Sequence, residues 1–317
     1  MLKKYSKKHL PVDLSQVKQV SIKSRSNKTN VKSFGKPVRK SGQGFFDGLP
    51  KFLKASELNE FIQLVIKARK NNLPFHLLLG AHTIKVGLAP VIIDLMKANI
   101  VTGISFNGAG LIHDLELAFF GGTSEDVQKG LNDGSFGMVK ETAQMYSAIA
   151  ALACEKNIGL GEAGGMFINK NKAKYRKLSL FAEAQRLGLS ATVHVGIGTD
   201  IVTQHPEFDG AKVGLASHTD FRILADICAD LNRGGALANI GSAVILPEVF
   251  LKALTVARNI KKQSNKLVTA NFDMITHYRP TFNIVTRPTK NGGSGFNFVG
   301  HHEIMIPLLA WGLKQKI

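Results

Sequence analysis

Acidic residues are in short supply: 23 Asp and Glu stand against 41 Lys and Arg, a formal net charge of +18. Cysteine is rarer still, with two in 317 residues. Cys154 and Cys228 each lie in an Ala-rich helical context, which points to small core residues rather than a disulfide or a metal pair and fits a reduced, cytoplasmic setting. No apolar run approaches the roughly 18 residues of a membrane span. The lysine-rich start lacks the apolar segment of a secretory signal, so a soluble, intracellular chain is expected. The stretch 76–116 lacks GxGxxG, and the chain has no CxxC and no histidine pair at helical i, i+4 spacing. A resident metal on His82, His113, Asp114, His301, His302 and Glu303 is therefore disfavoured.

The positive charge is unevenly spread. Residues 1–40 hold twelve Lys/Arg, ten of them lysine, against one acid, Asp13. Such an arm can hold anions without specificity. Its poverty in arginine and aromatics argues against nucleic-acid binding as the main function and for a solvated or partner-covering extension. Ser41 to Gly44 reads as a linker. The expected organisation is a basic arm over 1–44 and one α/β domain over 45–317.

That domain is read from alternating periods. Residues 55–70 form an amphipathic helix with Ser56 as its cap and Leu58, Phe61, Ile62, Val65 and Ile66 on one stripe. His76–Leu79 is a short strand that stops at Gly80-Ala81-His82, and a helix follows with Pro90 in its first turn. Ile100–Phe106 repeats the pattern, stopping at Asn107-Gly108-Ala109-Gly110 before a helix through Leu111, Leu115 and Ala118. Thr123 or Ser124 caps the next helical segment, which turns around Asn132-Asp133-Gly134. Lys140–Ala153 is helical, 157–165 is loop-like, and Lys174–Leu187 is helical. Strands are expected at Leu189–Val195, Ala236–Ile240, Lys266–Asn271 and Phe282–Thr286, with helices at Phe221–Leu231, Pro247–Arg258 and Glu303–Leu313. About six strands separated by helices imply a largely parallel sheet covered on both faces.

Ligands of such sheets sit at the carboxyl ends of the strands, where glycine admits a phosphate to backbone N–H groups. Gly80–His82, Asn107–Asp114, Gly198–Asp200, Gly241–Ala243 and His301–Glu303 all fall there, which makes a phosphate-bearing ligand such as a dinucleotide the first expectation. The carboxylates Asp114, Glu162, Asp200, Glu248, Asp273 and Glu303 also fall near strand or loop ends. A cationic ligand would explain them, because buried acids need positive partners. The competing explanation is that several cap helix N-termini.

The text from Gly80 to Pro90 (GAHTIKVGLAP), Asn107-Gly108-Ala109-Gly110 with Ile112-His113-Asp114, and Thr123 to Met138 resembles deoxyhypusine synthases, above all prokaryotic ones. The resemblance is dense over 76–140 and looser elsewhere, reaching Met305 to Leu309. It implies a Rossmann-like fold, NAD, and a homotetramer of tight dimers with active sites at the dimer interface. It also implies oxidation of spermidine, loss of 1,3-diaminopropane, and transfer of the aminobutyl group through an enzyme lysine to an acceptor amine.

By the same resemblance, NAD falls to Thr83, Asn107, Gly108, Ala109, Gly110, Gly198, Thr199, Gly241, Ser242, His301, His302 and Glu303. The polyamine falls to Asp114, His113, Asp200 and Glu162. Glu248 stands where the family has its catalytic histidine, and the Trp-Gly-Lys that carries the covalent lysine has no counterpart. Lys290 is nearest to it by position, so Glu248 and Lys290 are the catalytic expectations. The acceptor is either a protein lysine or a free amine such as putrescine, as in homospermidine formation. Two readings from other classes stay open: a metal-dependent hydrolase of a guanidino or amide group, and a non-catalytic relative that keeps NAD.

Overall fold

The computed structural model describes residues 44–260 and 265–316. The basic arm expected over 1–44 thus lies, up to residue 43, outside the described residues. The chain divides into two compact units, Met1–Phe52 and Leu53–Ile317. The described part of the first includes one helical turn, α1 (Phe45–Gly48).

The second unit runs α2 (Leu53–Lys70), β1 (Phe75–Leu79), α3 (His82–Lys85), α4 (Ala89–Lys97), β2 (Gly103–Asn107), α5 (Gly108–Phe120), α6 (Val127–Asp133), α7 (Lys140–Lys156), α8 (Leu160–Lys170), α9 (Leu180–Leu187) and β3 (Ser190–His194). It continues α10 (Gly210–Leu231), β4 (Ala236–Ile240), α11 (Ile245–Ile260), β5 (Val268–Asp273), α12 (Tyr278–Pro280) with a π-helical turn at Thr281–Thr286, β6 (Ser294–Val299) and α13 (His302–Gln315). Among the described residues the sheet has six strands, all parallel, in the order β3-β2-β1-β4-β5-β6. This is the Rossmann-like α/β architecture. Its order reverses between β1 and β4, where Leu79 pairs with Ile240, so the loops leaving those strands part to opposite sides and open a crevice at their carboxyl ends. No helix among the described residues is long and apolar enough to cross a membrane.

Side chains alternate across each strand and fill both faces. On one face Phe61 of α2 lies 5.7 to 6.3 Å, ring centre to ring centre, from Phe75, Phe272, Phe296 and Phe298. On the other, Leu78 and Leu237 pack on Leu224, Cys228, Phe250 and Leu254 of α10 and α11. Cys228 is a core residue, and the Cys154 thiol donates to the Lys212 carbonyl at 3.6 Å. A polar row crosses this second face. The Ser105 and Thr192 hydroxyls meet at 2.6 Å, and Asn239, Asn271 and Asn297 form an amide ladder at 2.7 and 2.8 Å. A slipped register would leave these buried groups unpaired, so the row fixes the pairing.

Three expectations are corrected. Residues 157–165 are not a loop: α8 starts at Leu160, and its glycines permit backbone contact. A Cβ on Gly161 would fall 2.1 Å from the Ala191 carbonyl oxygen, and one on Gly165 2.4 Å from that of Phe181. Phe282–Thr286 is a π-helical turn rather than a strand, with Asn283 and Ile284 buried. The last strand is Ser294–Val299, where Gly295 leaves room for the Val285 carbonyl 2.2 Å from where its Cβ would be. Finally, α6 is capped by Asp126, which accepts from Lys129 N–H at 3.1 Å, and not by Thr123 or Ser124.

Asp220 of α10 accepts from the N–H groups of Gly161 and Val193 at 3.1 and 2.8 Å, tying the start of α8 to β3. Its Oδ1 has no partner among the described residues, and burial pushes the carboxyl up to about 8. The folded chain therefore holds this proton more tightly than the unfolded chain, whose Asp titrates near pH 4. Its contribution is complete below that pH and is lost as pH rises towards 8. We expect the melting temperature to fall between pH 5 and 9 and Asp220→Asn to flatten that fall. Equal slopes for both proteins in a thermal scan would contradict the assignment.

Candidate functional site

Two features adjoin at the carboxyl ends of the strands. The first is the crevice between β1 and β4. Thr83, in the single turn α3, donates its hydroxyl to the Gly80 carbonyl at 2.8 Å. A Cβ on Gly80 would fall 2.0 Å from the Gly241 carbonyl oxygen, so the two loops touch backbone to backbone. Gly241 adopts φ +68°, open to glycine at no steric cost, and a Cβ there would meet the His302 ring at 2.9 Å. His302 is the buried first residue of α13. Its Nε2 donates to the Phe272 carbonyl at 3.2 Å, its ring centre is 5.5 Å from that of His82, and burial lowers its pKa.

The Nδ1 of His302 and the Oδ2 of Asp273 have no hydrogen-bond partner among the described residues. Both atoms are buried beside the Gly80–Gly241 contact; the other Asp273 oxygen accepts from Met274 N–H at 2.8 Å, and His277 Nε2 lies 3.9 Å from Oδ2. Ser242 is committed to the fold: its hydroxyl accepts from Leu246 N–H at 3.3 Å and its carbonyl from the Asn239 amide at 3.0 Å. His301 and Glu303 lie at the exposed rim, 3.8 Å apart.

The second feature is a pocket of about 490 Å³ beside β2 and β3. One stripe of α5 lines it: Ala109, Ile112, His113, Glu116 and Phe120, at i, i+3, i+4, i+7 and i+11. Thr123 and Glu125 close one side, Phe136, Val139 and Thr142 another, and Thr199, Asp200 and Ile201 a third, with Lys85 of α3 at the edge. Three carboxylates and one ammonium thus line a pocket whose remaining walls are apolar side chains, threonine and serine hydroxyls and the His113 ring. The Glu116 carboxylate accepts from the hydroxyls of Thr142, at 2.9 Å, and Thr123, and the Thr123 oxygen lies 2.6 Å from His113 Nδ1. Burial, then the charge of Lys85, pushes the His113 imidazole down to about 4, so it is neutral at pH 7. Glu125 accepts from Gly137 N–H at 3.0 Å.

Asp200 follows the turn at Gly198 (φ +88°), where Thr199 donates its hydroxyl to the Gly196 carbonyl at 2.8 Å. Its carboxylate occupies the N-terminus of α5, over Gly108 and against the N–H groups of Ala109 and Gly196. Burial pushes its carboxyl up to about 6, and those N–H groups offset part of the rise. Its Oδ2 has no partner among the described residues. A phosphate at Asn107–Gly110 would meet this carboxylate, and Asn107 Oδ1 already accepts from Gly110 N–H at 3.3 Å.

The structure therefore brings His113, Asp200, Ala109 and Thr199 to the pocket, and Thr83, Gly241, Ser242 and His302 to the crevice. Asp114, Glu162, Glu248 and Lys290 lie apart. Asp114 points to the far side of α5, where it accepts from the Ser179 hydroxyl at 2.5 Å and from Leu180 N–H at 2.9 Å, a buried cap for α9. Glu162 is an exposed first-turn residue of α8. Glu248 pairs with Lys252, with Arg279 at 3.3 Å and with the Asn283 amide at 2.9 Å, and Lys252 holds its pKa down. Lys290 is exposed just before β6, at the amino end of the sheet, opposite the crevice. Glu116 and Thr142 were not singled out, and Thr123 and Glu125 were read only as a helix cap and part of the family-like stretch, not as site residues; the i, i+3 spacing of His113 and Glu116 on a helix was the available signal. Among the described residues no three His, Cys, Asp or Glu are grouped to hold a metal ion.

No protein-family model matches the chain, and no curated protein does. Solved structures share its fold. The ternary complex of AgrE with ornithine and NAD+ aligns at TM-score 0.55 and 11% identity over 82% of this chain and 33% of its own. The apo arginine dihydrolase ArgZ from the ornithine-ammonia cycle in cyanobacteria aligns at TM-score 0.50 and 12% identity, over 82% and 31%. The putative deoxyhypusine synthase of Entamoeba histolytica aligns at TM-score 0.51 and 11% identity, over 83% and 88%. The chain spans about a third of the length of AgrE and ArgZ.

A Cβ on Gly108 would fall 1.9 Å from Asp200 Oδ2. Gly108→Ala is expected to cost about 1–3 kcal/mol of stability by overpacking. Asp200→Gly in the same chain should recover most of that loss, a non-additivity that a urea double-mutant cycle detects. Additive effects would show that the carboxylate does not occupy the α5 terminus.

Proposed function

We propose that the chain is an NAD-dependent enzyme that oxidises a polyamine-class cation bound in the pocket and transfers its aminobutyl group to an acceptor amine. The observation that carries this reading is the pocket's electrostatics. In a strongly basic protein, Glu116, Glu125 and Asp200 gather around one open pocket whose other lining is largely hydroxyl-bearing and apolar, with Lys85 as its cation. A methylene chain bearing ammonium groups complements both parts of that lining. Support for NAD comes from the adjoining crevice at the β1/β4 reversal and from the AgrE complex of the same fold, which contains NAD+ and ornithine. The residues toward NAD are Gly80, Thr83, Gly241, Asp273 and His302, and the chemistry NAD supplies when bound is hydride acceptance and return.

Asp200 and Glu125 place the ammonium groups, and the apolar side chains of Ile112, Phe120, Val139 and Ile201 hold the methylene chain between them. Within one subunit Lys290 lies at the opposite end of the sheet, so the acceptor amine attacks the oxidised substrate directly. Its new C–N bond forms as the bond to 1,3-diaminopropane breaks. A free amine such as putrescine suits this pocket, with a protein lysine as the other acceptor. Lys85 favours a second substrate class, since its ammonium could hold the carboxylate of a diamino acid such as the ornithine named in the AgrE complex. A homotetramer belongs to the same proposal. The face it would cover is an apolar groove of about 340 Å³ beside α10 and α11, where Phe221, Val256 and Ile260 line the surface and Ile260 is 72% exposed.

Incubating the protein with NAD and spermidine, with and without putrescine, tests the reaction: 1,3-diaminopropane is the expected product, with turnover dependent on the acceptor. NADH formation from ornithine and none from spermidine would select the diamino-acid reading. Calorimetry tests the pocket separately. Asp200 gains its charge as pH rises through about 6, so spermidine should bind more tightly at pH 7 than at pH 5, and Asp200→Asn should remove that gain. Affinity that does not change between these pH values would exclude Asp200 as a cation ligand.

A further inference from the structure

We propose that Glu116 and Thr123 fix His113 as a hydrogen-bond acceptor, so that the pocket selects ammonium ions that carry N–H groups. The inference rests on the amine-binding reading above and adds the residues that set its specificity.

The proton count decides the arrangement. An ionised Glu116 has only acceptors, and it takes one hydroxyl from Thr142 and one from Thr123. A threonine hydroxyl has a single proton. Once that proton points at Glu116, the Thr123 oxygen can only accept from its remaining neighbour, His113 Nδ1 at 2.6 Å. The proton of the neutral imidazole is therefore on Nδ1 and the lone pair on Nε2, which has no partner among the described residues.

Every element around the ring agrees with this orientation. From α5 itself Glu116 Oε2 lies 3.8 Å from Nδ1. The segment after α5 contributes Thr123 and Glu125, α7 contributes Thr142, and the turn after β3 contributes Asp200. Lys85 of α3 is the cation among them, and burial together with its charge keeps His113 unprotonated. His113 Nε2 then faces the pocket as an acceptor. A primary or secondary ammonium satisfies it by donating an N–H. A quaternary ammonium of equal charge and length has no proton to donate. Thr123 and Glu116 act through His113 and are positioning residues.

The test separates charge from N–H donation. Histidine nitrogens are labelled with 15N in the full chain, and the His113 signals are assigned by their loss in His113→Asn. At pH 7 the expected state is Nδ1 protonated and Nε2 bare. Thr123→Val should release that tautomer and Thr123→Ser should restore it. In calorimetry at pH 7, spermidine should bind the wild type about tenfold more tightly than its fully N-methylated, quaternary analogue, the size expected for a hydrogen bond to a charged donor. Thr123→Val should lose most of that ratio and Thr123→Ser should keep it. A protonated Nε2 in the wild type, or a tautomer unchanged by Thr123→Val, overturns the proposal. So does equal binding of spermidine and its quaternary analogue. If amines bind as expected but no diaminopropane forms, the transfer reaction fails while this inference stands. If neither amine binds, both fail.

Discussion

Buried carboxylates set against helix N-termini hold this domain together. Asp114 receives Ser179 and Leu180 at the start of α9, Asp220 receives Gly161 at the start of α8, and Asp200 lies over Gly108 at the start of α5. Burial raises the pKa of all three. The first-turn N–H groups of a helix have no partner of their own and carry partial positive charge, so they return part of what desolvation costs. Each acid comes from a different element than the helix it caps, so each cap is also a tertiary tie: α5 to α9, α10 to α8 and β3, and the turn after β3 to α5.

The same constraint produces the pocket. Asp200 stands at the α5 terminus because Gly108 has no Cβ, and it joins the lining of the pocket that also includes His113 and Glu116. Glycine at the end of β2 thus serves an internal anion rather than an external phosphate. At the β1/β4 reversal Gly80, Gly241 and His302 meet beside the buried Asp273 carboxylate, 4.0 Å from His302 Nε2. The proposed function assigns the cofactor to this reversal and the cation to the pocket.

Much of the frame was legible. Apolar runs ending in Gly80-Ala81, Asn107-Gly108, Gly198 and Gly241 marked strand ends, because a parallel strand buried on both faces must be apolar and must stop where the chain turns. The helix start at Leu160 was hidden by glycines, which report close contact with β3 and α9 rather than a loop. The last strand was hidden by Gly295 and by a more β-like run at Phe282–Thr286, which packs as a π turn because Thr269 donates its hydroxyl to the Ile284 carbonyl at 2.7 Å. Lys290 looked close to a site because position along the chain says nothing about which end of the sheet a loop occupies.

The sequence by itself determined the alternation of strand and helix, the parallel sheet, and the presence of small residues at its carboxyl ends, since these depend on local periodicity and on turn chemistry. Only the tertiary structure decided which loop faces which. Asp114 and His113 are adjacent in the chain, yet α5 turns one toward Ser179 and the other into the pocket. Asp200 and Gly108 meet only because β2 pairs with β3. Acid–glycine contacts, hydroxyl relays and the sharing of a pocket are set by strand order and helix rotation, and no local pattern encodes the distance between segments that the sheet brings side by side.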